Sequence, residues 1–257
     1  MRILPTVTFW VALCVAATAA QARPLEAVRQ DGMLRIATEG YYAPFNFFQG
    51  KQLTGFEVEV AELVAHRMGL KPQWKTLSFD ALLTGLQQDR WDVVIASHAI
   101  TPERAKAVTF AAPHYCSGGT IVSRSPALRS AGDLAGKIVA VQTGTTYAAE
   151  VQRLPGVRAV KNFPADTDAR SALLSGRVDA MVTDRFVAKE LRRKSPGSGF
   201  EVGDMVTVER IAAAMALGNT GLAGAWSQAL QAVMADGSYA KVAQKYFQED
   251  IRCPAER

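Results

Sequence analysis

The chain has 257 residues, of which 49% are hydrophobic and 21% charged, and a formal net charge of +5. That length suits one large domain or two of about 100 residues each, and either would bury a full core. The basic balance is mild and spread out. Its densest cluster, Arg192, Arg193 and Lys194 before SPGSG, reads as a solvated helix end, which argues against a nucleic-acid partner.

The N-terminal stretch MRILPTVTFWVALCVAATAAQA carries one early cation, Arg2, then an apolar run and the small-residue end Ala20-Gln21-Ala22. This is the pattern of a cleavable secretory signal over residues 1–22. Removal leaves 235 residues (257 − 22) from Arg23 onward and, with Arg2 gone, a net charge of +4 (5 − 1). Lipid attachment at Cys14 is disfavoured by the bulky Leu13. No later segment is long and apolar enough to span a bilayer, so a periplasmic protein is expected. Cys116 and Cys253 would then meet oxidising conditions. A disulfide between them and two unpaired thiols are the two readings.

After Arg23, the apolar runs LRIAT, WDVVIAS, GTIVS, KIVAVQ and VDAMVTD suit strands. They alternate with the helix-period segments FEVEVAELVAHRM, FDALLTGLQQ and TDARSALLSG. Such alternation predicts an α/β protein with largely parallel sheets. LLTGLQQDRWDVVIAS and LLSGRVDAMVTD share one order of helix end, glycine, polar link, aspartate and strand. One unit used twice would read this way, and so would a chance likeness between two such units; two related lobes fit the length better.

Ligands of open parallel sheets bind beyond the carboxyl ends of strands, and four such places carry polar or aromatic groups. In Thr38–Phe48, after LRIA, Tyr41 and Tyr42 are pocket candidates because a phenol has a polar tip to place, whereas Phe47 and Phe48 read as a small aromatic core under the loop. Glu39 either faces a ligand or is a solvated charge. Ser97-His98-Ala99-Ile100-Thr101-Pro102-Glu103-Arg104 signals a helix start, with Thr101 as N-cap and Pro102 at the first position. Arg104 there opposes the helix dipole. Its planar fork suits a carboxylate in two hydrogen bonds, and a salt bridge to Glu103 or another acid is the competing reading.

The turn Gln142–Tyr147, with Thr143 and Thr146, leads through glycine into a helix whose free N–H groups can hold an anion, although capping alone explains Gly and Thr as well. No phosphate-loop fingerprint is present. Asp184, at the end of VDAMVTD, can bind an ammonium group or cap the next helix. His66, His98 and His114 lack metal-ligand spacing. Neither a cofactor nor a covalent nucleophile is indicated.

Taken in order, GYYAPFNF, LTGFEVEVAELV, FDALLTGLQQDRWDVVIAS, ITPER, VTFAAPHY, VAVQTGTT, LLSGRVDAMVTD and DGSYAKVAQKYF resemble the polar amino-acid-binding proteins of ABC importers. The resemblance implies a two-lobe, type II fold whose chain crosses the hinge twice. Lobe 1 would comprise 23–117 and a C-terminal return over 209–257, and lobe 2 would comprise 118–208. It implies an amino-acid ligand, a membrane ABC permease as partner, and a monomer. The family's ligand arginine falls on Arg104, and its backbone donors for the same carboxylate fall on Thr146 and near Ala99. Its acid for the ammonium falls on Asp184, its aromatic walls on Tyr42 and Phe79, and a side-chain-facing acid on Glu39. Ser97 and Thr143 complete the candidate set. Relatives often place a hydroxyl where this chain has Ala99. Cyclohexadienyl dehydratases resemble the same fold, but where their pattern places a catalytic glutamate this chain has Tyr147. A ligand-sensing module for a membrane receptor would need the same site.

Overall fold

The computed structural model describes residues 22–254, so the leader expected over 1–22 lies, but for Ala22, outside the described residues. Helix α1 (Leu25–Asp31), strand β1 (Met33–Thr38) and an antiparallel meander, β2 (Tyr41–Tyr42), β3 (Asn46–Gln49) and β4 (Gln52–Thr54), come first. Helix α2 (Phe56–Arg67) leads to β5 (Lys71–Thr76), α3 (Phe79–Gln87), β6 (Val93–Val94), the single turn α4 (Pro102–Ala105) and the long β7 (Val108–Ser117). The chain continues through β8 (Gly119–Ser123), β9 (Ile138–Gln142), α5 (Thr146–Arg153), β10 (Ala159–Phe163), α6 (Asp166–Leu174), β11 (Ala180–Asp184), α7 (Arg185–Lys194) and β12 (Glu201–Met205). It ends with β13 (Glu209–Ala216), α8 (Thr220–Ala235) and α9 (Ser238–Phe247).

Two five-stranded sheets result, ordered β5-β1-β6-β13-β7 and β10-β9-β11-β8-β12. The chain passes between them at Gly118 and again between Met205 and Glu209. In each sheet the three helix-linked strands are parallel, as the alternation predicts, and one strand runs against the rest: β13 in the first sheet, β8 in the second. The reason is geometric. Strands that end at the junction run toward it, whereas β8 and β13 enter their sheets through it and must run away.

The two repeated units keep their order but use glycine differently. Gly85 lies inside α3 beneath Trp91, where a Cβ would come within 1.9 Å of the indole, while Gly176 (φ +72°) terminates α6 in the left-handed region.

Several contacts bind the two halves together. Phe186 at the start of α7 packs 4.8 Å from Phe247 and 6.3 Å from Phe45, centroid to centroid. Lys189 pairs with Glu249 at 2.5 Å. At the end of β7, Cys116 is joined to Cys253, and its N–H donates to the Ile251 carbonyl at 3.1 Å, which ties the C-terminal tail to the strand leading into the crossing. At the amino end of the central strand of the first sheet the buried Asp92 accepts from both Arg23 and Arg35. Among the described residues no helix is long and apolar enough to cross a membrane.

Candidate ligand cleft between the two sheets

The carboxyl ends of β1, β6, β9 and β11 converge from both sheets, bringing Glu39, Ser97, Gln142 and Asp184 toward one cleft. Its inner part is narrow and lined, among others, by Glu39, Tyr42, Phe79, Arg104, Thr146 and Glu209. Arg104, Thr146 and Glu209 also border the wider outer cleft.

Arg104 stands where the local signals put it. Thr101 Oγ1 accepts the Arg104 N–H at 3.1 Å and Pro102 occupies the first helical position, although the helix lasts one turn. The guanidinium reaches back to the Ala99 carbonyl (Nη1, 3.0 Å) and across to the Gly144 carbonyl (Nη2, 3.0 Å). Among the described residues its hydrogen bonds thus go to carbonyl oxygens, which supply no countercharge. Burial lowers its pKa, with the charge of Glu209 opposing that shift. Gly144 makes the approach feasible: at φ +78° it lies so close to α3 that a Cβ would meet Asp80 Cβ at 3.2 Å.

Two groups meet the Phe79 ring. The Arg104 guanidinium stands 5.7 Å from its ring centre, and His98 stacks on it at 4.2 Å with 8° between planes. His98 is buried, and that burial first, then the nearby Arg104 charge, pushes its pKa well below the usual value; it backs the aromatic wall as a neutral ring.

The acids have the opposite problem. Burial pushes Glu39 up to about 8, Asp184 to about 7 and Asp166 to about 6, and raises Glu209 as well. Gln142 Nε2 donates to Glu39 at 2.6 Å from the opposite sheet, and Thr183 donates to Asp166 at 2.6 Å. Hydrogen bonds from Thr146 and Tyr147, with the Arg104 charge, partly offset the burial of Glu209. Asp184 performs its capping role through Oδ1, which accepts the Phe186 N–H at 2.7 Å, while among the described residues its buried Oδ2 makes no hydrogen bond of good geometry and only the Ser117 hydroxyl and the Phe186 N–H ease the burial by hydrogen bonding. The Tyr42 hydroxyl accepts the Asp184 N–H at 3.3 Å and lies 3.5 Å from Thr183.

Several expectations need correction. Tyr41 is 60% exposed and faces Phe48, which is itself exposed, because alternate residues of a strand point to opposite sides; the buried aromatic under this loop is Phe45. Thr143 does not line the inner cavity. Its N–H and hydroxyl both donate to the Phe163 carbonyl, at 2.8 and 3.1 Å, on the neighbouring strand. Asp184 is buried beside the cavity, with its N–H on the Tyr42 hydroxyl, and is not one of the residues lining the inner part. Ala99 contributes its carbonyl to Arg104. Four lining residues were not among the candidates: Gln142, Thr145 and Tyr147, which belong to the singled-out turn but had no role assigned, and Glu209, which carried no local signal, opens β13 and enters the cleft only because the chain crosses there. Among the described residues no three His, Cys, Asp or Glu side chains form a cluster able to hold a metal.

Residues 34–249 match the bacterial extracellular solute-binding proteins, family 3, and the chain belongs to that family. It is 33% identical over 233 residues to the L-cystine-binding protein TcyJ of Escherichia coli (strain K12), covering 88% of this chain and 87% of that one. It is similar in structure to an ancestral arginine-binding protein bound to arginine, with 35% identity and a TM-score of 0.80 over 84% of this chain and 98% of the other. The ancestral amino acid-binding protein AncCDT-1, a precursor of cyclohexadienyl dehydratase, is 32% identical with a TM-score of 0.80, covering 86% and 98%.

Proposed function

We propose that the protein captures a basic amino acid in the periplasm, between a lobe of residues 23–117 with 209–257 and a lobe of 118–208, and delivers it as a monomer to a membrane ABC permease. The observation that carries this reading is a charge imbalance. One half-buried guanidinium, Arg104, shares the cleft region with the buried carboxyl groups of Glu39, Asp166 and Asp184 and the half-buried one of Glu209; burial raises the pKa of all four, and Arg170 and Arg185 offset only part of the rise at Asp166 and Asp184. A ligand with one carboxylate and two cationic groups would relieve it.

In this reading Arg104, the Thr146 N–H and the Ala99 N–H take the α-carboxylate. Asp184 Oδ2 takes the α-ammonium, and Glu39 faces the side-chain cation between Tyr42 and Phe79. Pairing both charges of the zwitterion offsets the cost of taking it out of water. Because Arg104 and Asp184 belong to different lobes, the ligand favours the closed form by its differential affinity for it, and the permease reads that form. L-cystine, named for one relative, would bring a second carboxylate to an inner cavity whose cationic lining residue is Arg104.

A thermal-shift screen of the refolded mature protein against the common amino acids and L-cystine tests this, since a ligand bound only by the folded state raises the midpoint. Shifts confined to arginine, lysine, ornithine or histidine support the reading, and no shift with any of them sinks it. The dehydratase alternative gains one point, the carboxyl of Glu209 beside Tyr147. Assay of phenylpyruvate formation from prephenate decides it.

A further inference from the structure

We propose that Glu57 is a positioning residue that sets both loops of the first lobe's ligand-binding edge, by gathering Ser97, Asn46 and His114 on one buried carboxylate. This rests on the reading of the cleft as an amino-acid site, although Glu57 itself lines no part of it.

Glu57 is the second residue of α2 and is fully buried, without a lysine or arginine beside it in the ion pairs of the described residues. Its carboxylate is held by donors from three other elements. Oε1 accepts the Ser97 N–H at 2.7 Å and lies 2.9 Å from His114 Nε2; Oε2 accepts the Ser97 hydroxyl at 3.0 Å and Asn46 Nδ2–H at 2.8 Å. Three donors, with His114 Nε2 as a fourth in the tautomer that carries its proton there, are what two buried carboxyl oxygens need to stay in place.

Each donor leads to a different part of the edge. Ser97 lines the inner cavity and stands at φ +56°, a region that L side chains rarely adopt and that persists only where the surroundings over-determine it. Its two bonds to Glu57 do that, and they set the direction in which the chain leaves β6 toward Ala99 and Arg104. Asn46 carries the effect to the other loop. Its Oδ1 accepts the Gly40 N–H at 2.9 Å, next to Glu39 and two residues before Tyr42. His114 joins the hub to β7, the strand that runs into the hinge, and its carbonyl accepts the Tyr239 hydroxyl at 2.5 Å. Glu57 also adds to the negative field that helps raise Glu39.

An amide cannot replace this carboxylate, because its NH₂ would confront groups that are themselves donors. In Glu57→Gln, measured as the full mature chain, the Kd for L-arginine by calorimetry is expected to rise by about tenfold or more, the size of leaving buried donors unpaired. With no ligand added, the amide signals of Ser97 and Gly40 in a ¹H–¹⁵N spectrum should move together, and the ¹⁵N signal of His114 Nε2 should move with them. Asp92→Asn is the control. It breaks a buried acid of the same lobe far from the cleft, and should lower the thermal midpoint while leaving the Kd within about twofold and both amides in place.

An unchanged Kd in Glu57→Gln, or movement of Ser97 without Gly40, overturns the proposal. If that variant does not fold, Asn46→Ala is read instead: Gly40 should move, and arginine should lose more affinity than glutamine. Equal losses overturn the proposal. If the parent binds no amino acid, the ligand reading fails by itself, and the ligand-free amide signals still decide whether Glu57 sets the two loops.

Discussion

Under the floor of the first lobe, Glu57 receives three hydrogen bonds and meets His114 Nε2 as a fourth partner, whereas beside the cleft Asp184 Oδ2 makes no hydrogen bond of good geometry among the described residues and Glu39 has one donor, borrowed from Gln142 across the junction. Both regions are buried, so the difference is not exposure. A carboxylate meant to stay is saturated by its own fold; one left short of partners marks a place where something else supplies them. The cations show the same contrast. Arg35 pairs with Asp92, and Arg104 rests on carbonyl oxygens.

Substitutions in the cleft should therefore cost affinity, and those in saturated regions stability. Arg104→Ala should have the largest effect, a loss of roughly 100-fold or more in affinity for L-arginine by calorimetry, as for a buried charge pair losing one partner. Asp184→Asn comes next. Its amide oxygen can keep the Phe186 N–H, so the midpoint should move little, while roughly 10- to 100-fold of affinity goes with the charge facing the ammonium; a fall in midpoint with affinity intact would make Asp184 only a cap.

Glu39→Gln should cut the preference for arginine over glutamine by about tenfold, measured as the ratio of their Kd values. The effect of pH is smaller and has a definite sign. Glu39 and Asp184, raised by burial to about 8 and about 7, hold protons in the empty closed site that a cationic ligand expels. Affinity should then rise severalfold from pH 6 to pH 8 and level off above, with proton release visible as buffer-dependent heats. In the ligand-free protein the same raised values favour folding at low pH, and that contribution fades as pH climbs through the folded values. Thr143→Ala should matter least for the ligand, less than about twofold in Kd, while costing about 1 kcal/mol of stability through its lost bond to Phe163.

Local signals in the sequence were legible where chemistry and position coincide. Thr101-Pro102 caps the turn that carries Arg104, and the acid at the end of VDAMVTD caps α7. Strand periodicity was not enough to separate Tyr41 from Tyr42, because a two-residue strand shows no pattern until the meander pairs it. Nothing local marks the place of His98, which sits in the loop after β6, because its stacking partner, Phe79, comes from α3.

The sequence by itself determined the alternating elements, the helix starts and the order of motifs that marks the family, since propensity, capping and side-chain period act over a few residues. Only the tertiary structure decided that Glu209, Gln142 and Tyr147 share a cavity with Arg104, that Thr143 turns away, and that Glu57 is saturated while Asp184 is not. Those facts depend on contacts between residues 11 to 142 positions apart, beyond the reach of local propensity. At such separations only tertiary packing, within each lobe and between them, selects which donors and charges meet, and the low dielectric of the buried surroundings then gives each unmatched charge its weight.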